Sequence, residues 1–302
     1  MSESVPVIDA HLHLWDPTTG WYDWLEREPA VLRRRYVFDD ARAAMESLDV
    51  RGAVLVQAAD HDGDTDAMLA EAAVNPLVLG VVGYVALHQP ARAADRLATL
   101  RTDDAFVGVR NLIHDQADPD WLLRADVAEG LGLVEAAGLP FDLVAVLPRH
   151  LEHVDYLAER FPDLTIVIDH LAKPPIGTDR RSPWYELMAL AAAHPHVVAK
   201  LSGLYRAGDG PPAGDDDLRP WIADAIELFG PDRLLVGSDW PVAESSGGYK
   251  PVLSSVIRVV RDLLDDCASA RVLAGTATTV YGLGPTAKST SGTDPGSLGS
   301  AS

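Results

Sequence analysis

The segment Val5-Pro6-Val7-Ile8-Asp9-Ala10-His11-Leu12-His13-Leu14-Trp15 decides between the two folds that alternating strands and helices commonly build. Its first half, Val5–Ala10, is a β-branched run that reads as a strand. A doubly wound nucleotide-binding sheet would follow its first strand with a glycine-rich phosphate loop. Here the strand runs into His11 and His13, with neither GxGxxG nor GxxxxGK(S/T). Side chains at i and i+2 of an extended strand share a face, so the spacing predicts Asp9, His11 and His13 pointing inward. Ile8, Ala10, Leu12 and Leu14 then take the helix-facing side. Two imidazoles and a carboxylate buried side by side are costly unless they are paired or bind something. The cluster therefore reads as a metal or catalytic arrangement, with a satisfied polar group at a strand end as the alternative.

Outward from this segment the pattern repeats. Short β-branched runs recur at Ala53–Gln57, Val78–Val85, Phe106–Arg110, Phe141–Val146, Leu164–Ile168, Val197–Leu201 and Leu234–Gly237. Between them lie stretches of helical spacing. Ala41, Ala44, Met45 and Leu48 sit at i, i+3, i+4 and i+7, and Ile222, Ala225, Ile226 and Phe229 do the same. Asp39 or Asp40 is suited to cap the first helix. Strands recurring at about the length of a βα unit predict an α/β fold, a single (β/α)8 TIM barrel over residues 1–284. The aromatic segment Pro17–Tyr36 lacks periodicity and reads as a long first loop covering one end of the barrel. Residues 285–302 are rich in Ser, Thr and Gly and read as a disordered tail.

Composition narrows the partners. The 302-residue chain is 47% hydrophobic and 23% charged, which suits a globular domain. A formal charge of -20 repels phosphate backbones and anionic membrane, leaving a small molecule as the expected partner. The single Cys267 excludes an internal disulfide and a CxxC site, and it fits a reducing cytoplasm. No targeting signal is visible, and apolar runs such as Pro76–Leu87 are too short to span a bilayer. A homo-oligomer is the default expectation.

Two further clusters follow apolar runs. Asp169-His170-Leu171-Ala172-Lys173-Pro174 ends one strand, and Gly237-Ser238-Asp239-Trp240-Pro241 ends the last. The carboxyl ends of barrel strands converge on one face, so His11, His13, His170 and Asp239 are expected to meet there. Taken singly, Asp239 also suits a helix N-cap and His170 a turn.

These motifs resemble the amidohydrolase-related family. The resemblance is carried in order by Ile8 to Pro17, Val54 to Ala58, Gly108-Val109-Arg110, Pro119 to Leu122, Ile168 to Pro174, Lys200 to Leu204 and Gly237 to Val242, and it closes with Gly275-Thr276-Ala277 and Tyr281-Gly282-Leu283. It is nearest to the branch of sugar-lactone and pyrone-dicarboxylate lactonases. It implies a distorted TIM barrel that hydrolyses a lactone. Asp239 then corresponds to the family's general base toward water, while His11, His13 and His170 polarise the carbonyl directly or through a metal. A metal-dependent decarboxylase or amidase on the same scaffold, or a non-catalytic binding protein, are the alternatives.

Candidate substrate contacts each carry a second reading. Arg110 either binds a hydroxyl or carboxylate or pairs with Asp9. Gln57 is a hydrogen-bonder to substrate or a loop-orienting amide. Trp240 walls the pocket or packs, as does Trp15. Lys200 contacts substrate or is a paired core lysine. Asn111 stands where relatives often have histidine, with His114 near enough to substitute. The wider superfamily that the resemblance points to often holds metal with a further histidine after strand five. Strand five here, Phe141-Asp142-Leu143-Val144-Ala145-Val146, has none, and strand four offers no bridging lysine, so the resemblance does not imply a binuclear centre. Catalysis without a cofactor is favoured. The alternative is one zinc held by His11, His13, Asp239 and His170.

Overall fold

The computed structural model describes residues 6–207 and 212–284. The expected tail, 285–302, lies outside them. Eight strands pair in parallel in sequence order: β1 (Val7–Leu12), β2 (Val50–Val56), β3 (Val78–Gly83), β4 (Phe106–Asn111), β5 (Phe141–Leu143), β6 (Ile166–Ile168), β7 (Val197–Leu201) and β8 (Leu234–Val236). Helices α1 (Phe38–Ser47), α2 (Asp62–Val74), α3 (Pro90–Leu100), α4 (Ala125–Ala136), α5 (Pro148–Arg160), α6 (Trp184–Ala192), α7 (Asp215–Phe229) and α8 (Tyr249–Leu263) alternate with them. This is the expected (β/α)8 barrel. The strands are short and apolar because a parallel sheet is covered on both faces. No helix among the described residues is long and apolar enough to cross a membrane.

Two apolar layers result. Val7, Leu12, Ala53, Leu55, Val109, Phe141, Ile166 and Val236 face the helices, where they meet Ala41 and Met45 of α1 and Val256 and Val260 of α8. Ile8, Ala10, Val54, Val167, Val198 and Leu235 fill the barrel's interior. The C-terminal segment passes through α9 (Asp266–Ala270), a π-helical turn at Arg271–Gly275 and α10 (Thr276–Val280). Ala277, Tyr281 and Leu283 join that interior layer, so this segment plugs the lower end, where the strands begin.

The first loop closes over the upper end, as the sequence suggests. It holds three 3-10 turns between Pro17 and Leu32, and Trp15 bridges to Tyr36. Trp24 donates its Nε1–H to the Ala58 carbonyl at 2.8 Å. The buried Asp64 accepts from the Tyr22 hydroxyl at 2.6 Å and from Ala58 N–H at 3.1 Å, clamping the loop to the end of β2. Val37, not an aspartate, is the N-cap of α1, while Asp40 in the first turn accepts from the Val37 N–H.

One expectation about β1 is corrected. Its pairing steps from Asp9 opposite Ala53 to Leu12 opposite Leu55, three residues against two, which is a β-bulge. Strict alternation therefore breaks between them. Ala10 and His11 both face inward, and Asp9 turns to the helix side, where it faces Tyr249 of α8. Asp9 serves the seam of the barrel instead, its Oδ1 accepting from Ser238 N–H at 2.8 Å and His11 N–H at 3.2 Å. Asp239 N–H to the His11 carbonyl (2.9 Å) and His13 N–H to the Trp240 carbonyl (2.7 Å) complete the closure of β8 onto β1.

Candidate active site

The bulge that removes Asp9 aims His11 and His13 at the same point. His11 Nε2 and His13 Nε2 are 3.0 Å apart. Gly237 allows this approach, since a Cβ there would lie 2.6 Å from that of His11. His170 arrives by a different device. Residues 170–173 all have φ between 49° and 57°, a turn of left-handed backbone, and Asp239 is left-handed at 55°. Each such residue costs roughly 1–2 kcal/mol unless its surroundings impose it. Here Lys173 N–H bonds the His170 carbonyl at 2.9 Å and Trp184 Nε1–H bonds the Leu171 carbonyl at 2.6 Å. Strain of this kind collects at functional sites. Gly203, at φ 55°, lies beneath, where a Cβ would sit 2.5 Å from His170 Nδ1 and 2.7 Å from Asp239 Oδ2.

The result is a convergent quartet. Asp239 Oδ1 lies 3.4 Å from His13 Nε2, 3.7 Å from His11 Nε2 and 3.9 Å from His170 Nε2. The opposite ring nitrogens are engaged: His13 Nδ1 with the Val56 carbonyl at 2.7 Å, His170 Nδ1 with Ser202 Oγ at 2.9 Å. All four residues are buried. Burial drives the His11 pKa well below the ordinary histidine value. Burial, helped by the Lys173 charge, pushes His170 down to about 3. Both rings are therefore neutral near pH 7 and offer lone pairs. Burial alone would raise the Asp239 pKa, but His170, His13, Lys173 and His11 around it hold it well below the usual carboxylate range.

This donor set fits a divalent cation. A carbonyl can only accept, so His13 Nδ1 carries the proton and its Nε2 presents a lone pair to the group. Tetrahedral zinc separates neighbouring nitrogen or oxygen ligands by about 3.4 Å, close to the spacing of these atoms. His11, His170 and Asp239 form one of two groups of potential ligands among the described residues. The second, His11, Asp142 and Asp169, encloses the Lys200 ammonium, which lies 3.1 Å from both His11 Nδ1 and Asp169 Oδ1 and is bonded to Asp142.

Above the quartet opens a cavity of about 230 Å³. His13, His170 and Asp239 form its floor, and Arg110, His114, Lys173, Trp24 and Glu28 stand on its walls with Val144, Val146 and Val242. A larger cavity, about 280 Å³, lies beneath the first loop against Trp15, Trp21 and Met68 and holds none of the quartet. The chemistry is in the smaller one.

Of the candidate substrate contacts, Arg110 and His114 line the cavity. Arg110 pairs with Asp169 (Nε to Oδ2, 2.8 Å) and donates to the Gln57 carbonyl; its partner is not Asp9, which the bulge has turned away. Gln57, Asn111, Lys200 and Trp240 are buried behind the wall. Gln57 donates to Asp60 and to the Arg110 carbonyl, and Asn111 to the Val85 carbonyl. Trp240 packs edge-on against Tyr36 and donates to Glu244. Lys173, Trp24 and Glu28 were not singled out as contacts by the sequence. Trp24 and Glu28 belong to the loop expected to cover the barrel. Lys173 stands in the motif that supplies His170.

Three comparisons bear on this site. The family profile described as amidohydrolase matches residues 8–283. An L-fucono-1,5-lactonase of Burkholderia ambifaria is 36% identical over 280 residues, covering 91% of this chain and 94% of that protein. One from Burkholderia multivorans is 32% identical over 286 residues, covering 91% and 96%. Among solved structures, an amidohydrolase from Burkholderia multivorans with bound zinc superimposes with a TM-score of 0.83 at 30% identity, covering 92% of this chain and all of that one (100%).

Proposed function

The chain belongs to the amidohydrolase family and is a hydrolase of that superfamily, and from that premise we propose that it opens a sugar lactone, with L-fucono-1,5-lactone the first candidate. The observation that carries this reading is the convergence of three imidazole Nε2 atoms on the Asp239 carboxylate, with His13, His170 and Asp239 flooring a sugar-sized cavity. The names of the two Burkholderia relatives support the substrate class.

The donor set and the zinc bound by the similar structure favour one divalent ion, held by His11, His13, His170 and Asp239, over the cofactor-free alternative. When bound, such an ion supplies Lewis-acid activation of the carbonyl and of water. The protein's own groups do the rest. Asp239 accepts the proton of the attacking water. Arg110 and Lys173 present positive charge to the cavity, where they hold substrate oxygens and then the carboxylate that ring opening creates. Trp24 and the rest of the first loop limit the entry of bulk water. Val144 and Val146 give the less polar face of the ring an apolar wall. The lone cysteine and the acidic charge suit a cytoplasmic enzyme of small molecules.

The test is acid release by the purified protein on a panel of sugar 1,4- and 1,5-lactones, corrected for spontaneous opening, before and after chelation. Hydrolysis of a 6-deoxy sugar 1,5-lactone that falls on chelation and returns with zinc is expected. Activity that survives exhaustive chelation would restore the cofactor-free mechanism. No hydrolysis of any lactone would overturn the substrate class and direct the search to decarboxylation and amide substrates.

A further inference from the structure

Behind the quartet, His11 Nδ1 has two neighbours with opposite demands. The Lys200 ammonium, 3.1 Å away, can only donate to it. Asp169 Oδ1, 3.3 Å away, can only accept from it. Both are wholly buried and anchored from other strands. Lys200 is tied to Asp142 of β5, which also accepts from the Tyr281 hydroxyl at 2.9 Å and 3.0 Å. Asp169 is tied through Oδ2 to Arg110 of β4. Asp169 Oδ1 also lies 3.1 Å from the Lys200 ammonium.

We infer that Lys200 and Asp169 are a pair of positioning residues that set which ring nitrogen of His11 carries its proton, and so whether Nε2 is free to hold a cation. The inference rests on the metal reading above. Two arrangements are each consistent. In one, Lys200 donates to Nδ1 and the proton sits on Nε2, which donates across 3.0 Å to the lone pair of His13 Nε2. Asp169 Oδ1 is then left without a donor from His11. In the other, Nδ1–H donates to Asp169 Oδ1, and His11 and His13 turn two lone pairs toward each other at that same 3.0 Å. Those lone pairs repel unless a cation lies between them and Asp239. The first arrangement belongs to the metal-free protein, the second to the loaded one. One proton leaves Nε2 and one arrives at Nδ1 by exchange with water, so His11 stays neutral throughout. Lys200 thus acts as a built-in cation in the second ligand group, behind His11 and out of reach of the cavity.

The experiment is long-range proton–nitrogen NMR of protein labelled with 15N-histidine, without metal and loaded with zinc. The His11 proton is expected on Nε2 without metal and on Nδ1 with zinc, while His13 keeps its proton on Nδ1 in both. The charge-balanced double variant Lys200→Met/Asp142→Asn should carry the Nδ1 proton even without zinc and bind zinc about tenfold more tightly. Asp169→Asn should keep the Nε2 proton and bind zinc roughly 10–100-fold more weakly. A simple packing role would weaken zinc in both variants, and that outcome overturns the inference. So does an unchanged His11 tautomer on loading while His13 and His170 respond. If zinc moves none of these imidazole signals, the metal reading fails and this inference with it. The wild-type spectra alone decide should the double variant not fold.

Discussion

The two ends of this barrel are built from the same strands to opposite rules. At the lower end, Ile8, Val54, Val167, Val198 and Leu235 meet Ala277 and Leu283 in a dry apolar plug. His11, Asp169 and Lys200 follow two or three residues after Ile8, Val167 and Val198, and with Arg110 of β4 and Asp142 of β5 they are almost wholly buried. Burying charge in this way costs several kcal/mol per ion before pairing offsets it. The lower end therefore holds the barrel together and lets the upper end carry groups that a fold alone would not choose. Tyr281 joins the two, packing in the plug while its hydroxyl reaches Asp142.

The sharpest way to separate the ends is to change one residue in each. Asp239→Asn should lower kcat for lactone opening by about 10²–10⁴-fold, measured by pH-stat, while the melting temperature stays the same or rises. Similar losses of activity and stability would break the division. Leu235→Ala, at the lower end, should cost about 2–5 kcal/mol of unfolding free energy in urea and leave kcat/KM within twofold of wild type. A matching loss of activity would show that the plug shapes the chemistry directly.

The third prediction concerns what burial costs the upper end. Burial raises the Asp64 pKa to about 6, although Tyr22 and Ala58 hydrogen bonds oppose it. A carboxyl whose folded pKa is raised contributes stability that is complete below its unfolded pKa and is lost as pH rises through the folded value. The pH window is thus about 4 to 6, and a shift of this size corresponds to about 3 kcal/mol. Asp64→Asn has no such titration. Its unfolding free energy should improve relative to wild type by 2–3 kcal/mol, roughly, between pH 4 and pH 7. A pH-independent difference would remove Asp64 from this account. The smallest expected effect is that of Lys173→Met. It should lower kcat/KM about tenfold, near 1.4 kcal/mol, with most of the change in KM if the ammonium holds substrate and in kcat if it stabilises the opening ring.

The lower end and the barrel itself were legible because apolar runs and helical spacing survive in the residue types. The upper end was legible only where residue chemistry is rare. His11, His13, His170 and Asp239 meet as their motif positions implied, since barrel topology brings strand ends together. The direction of Asp9 was not legible. Strict alternation assumes a regular strand, and no residue between Asp9 and Leu12 marks the bulge that breaks it. The left-handed run 170–173 is equally silent, because Leu, Ala and Lys have no preference for that backbone and a single His does not signal a run of four, so only tertiary contacts impose it. Lys200 and Gln57 were assigned to the cavity because they end strands. Whether such a residue reaches the mouth or stops in the layer beneath depends on how far its strand rises, which spacing does not record.

The seam has a consequence for how the molecule is made. Asp9 and Ser238, bonded at 2.8 Å, are 229 residues apart in the chain. During synthesis β1 is released first, with His11 and His13 facing a wall that does not yet exist. The growing chain can stack seven βα units and still expose those imidazoles, since residues 238–240 supply both the floor of the site and the hydrogen bonds that shut it. Translation that stops short of Ser238 yields a chain with no working centre, without α8 to α10, and with an open, sticky edge at β1. The centre comes into being only when residues 238–240 reach β1.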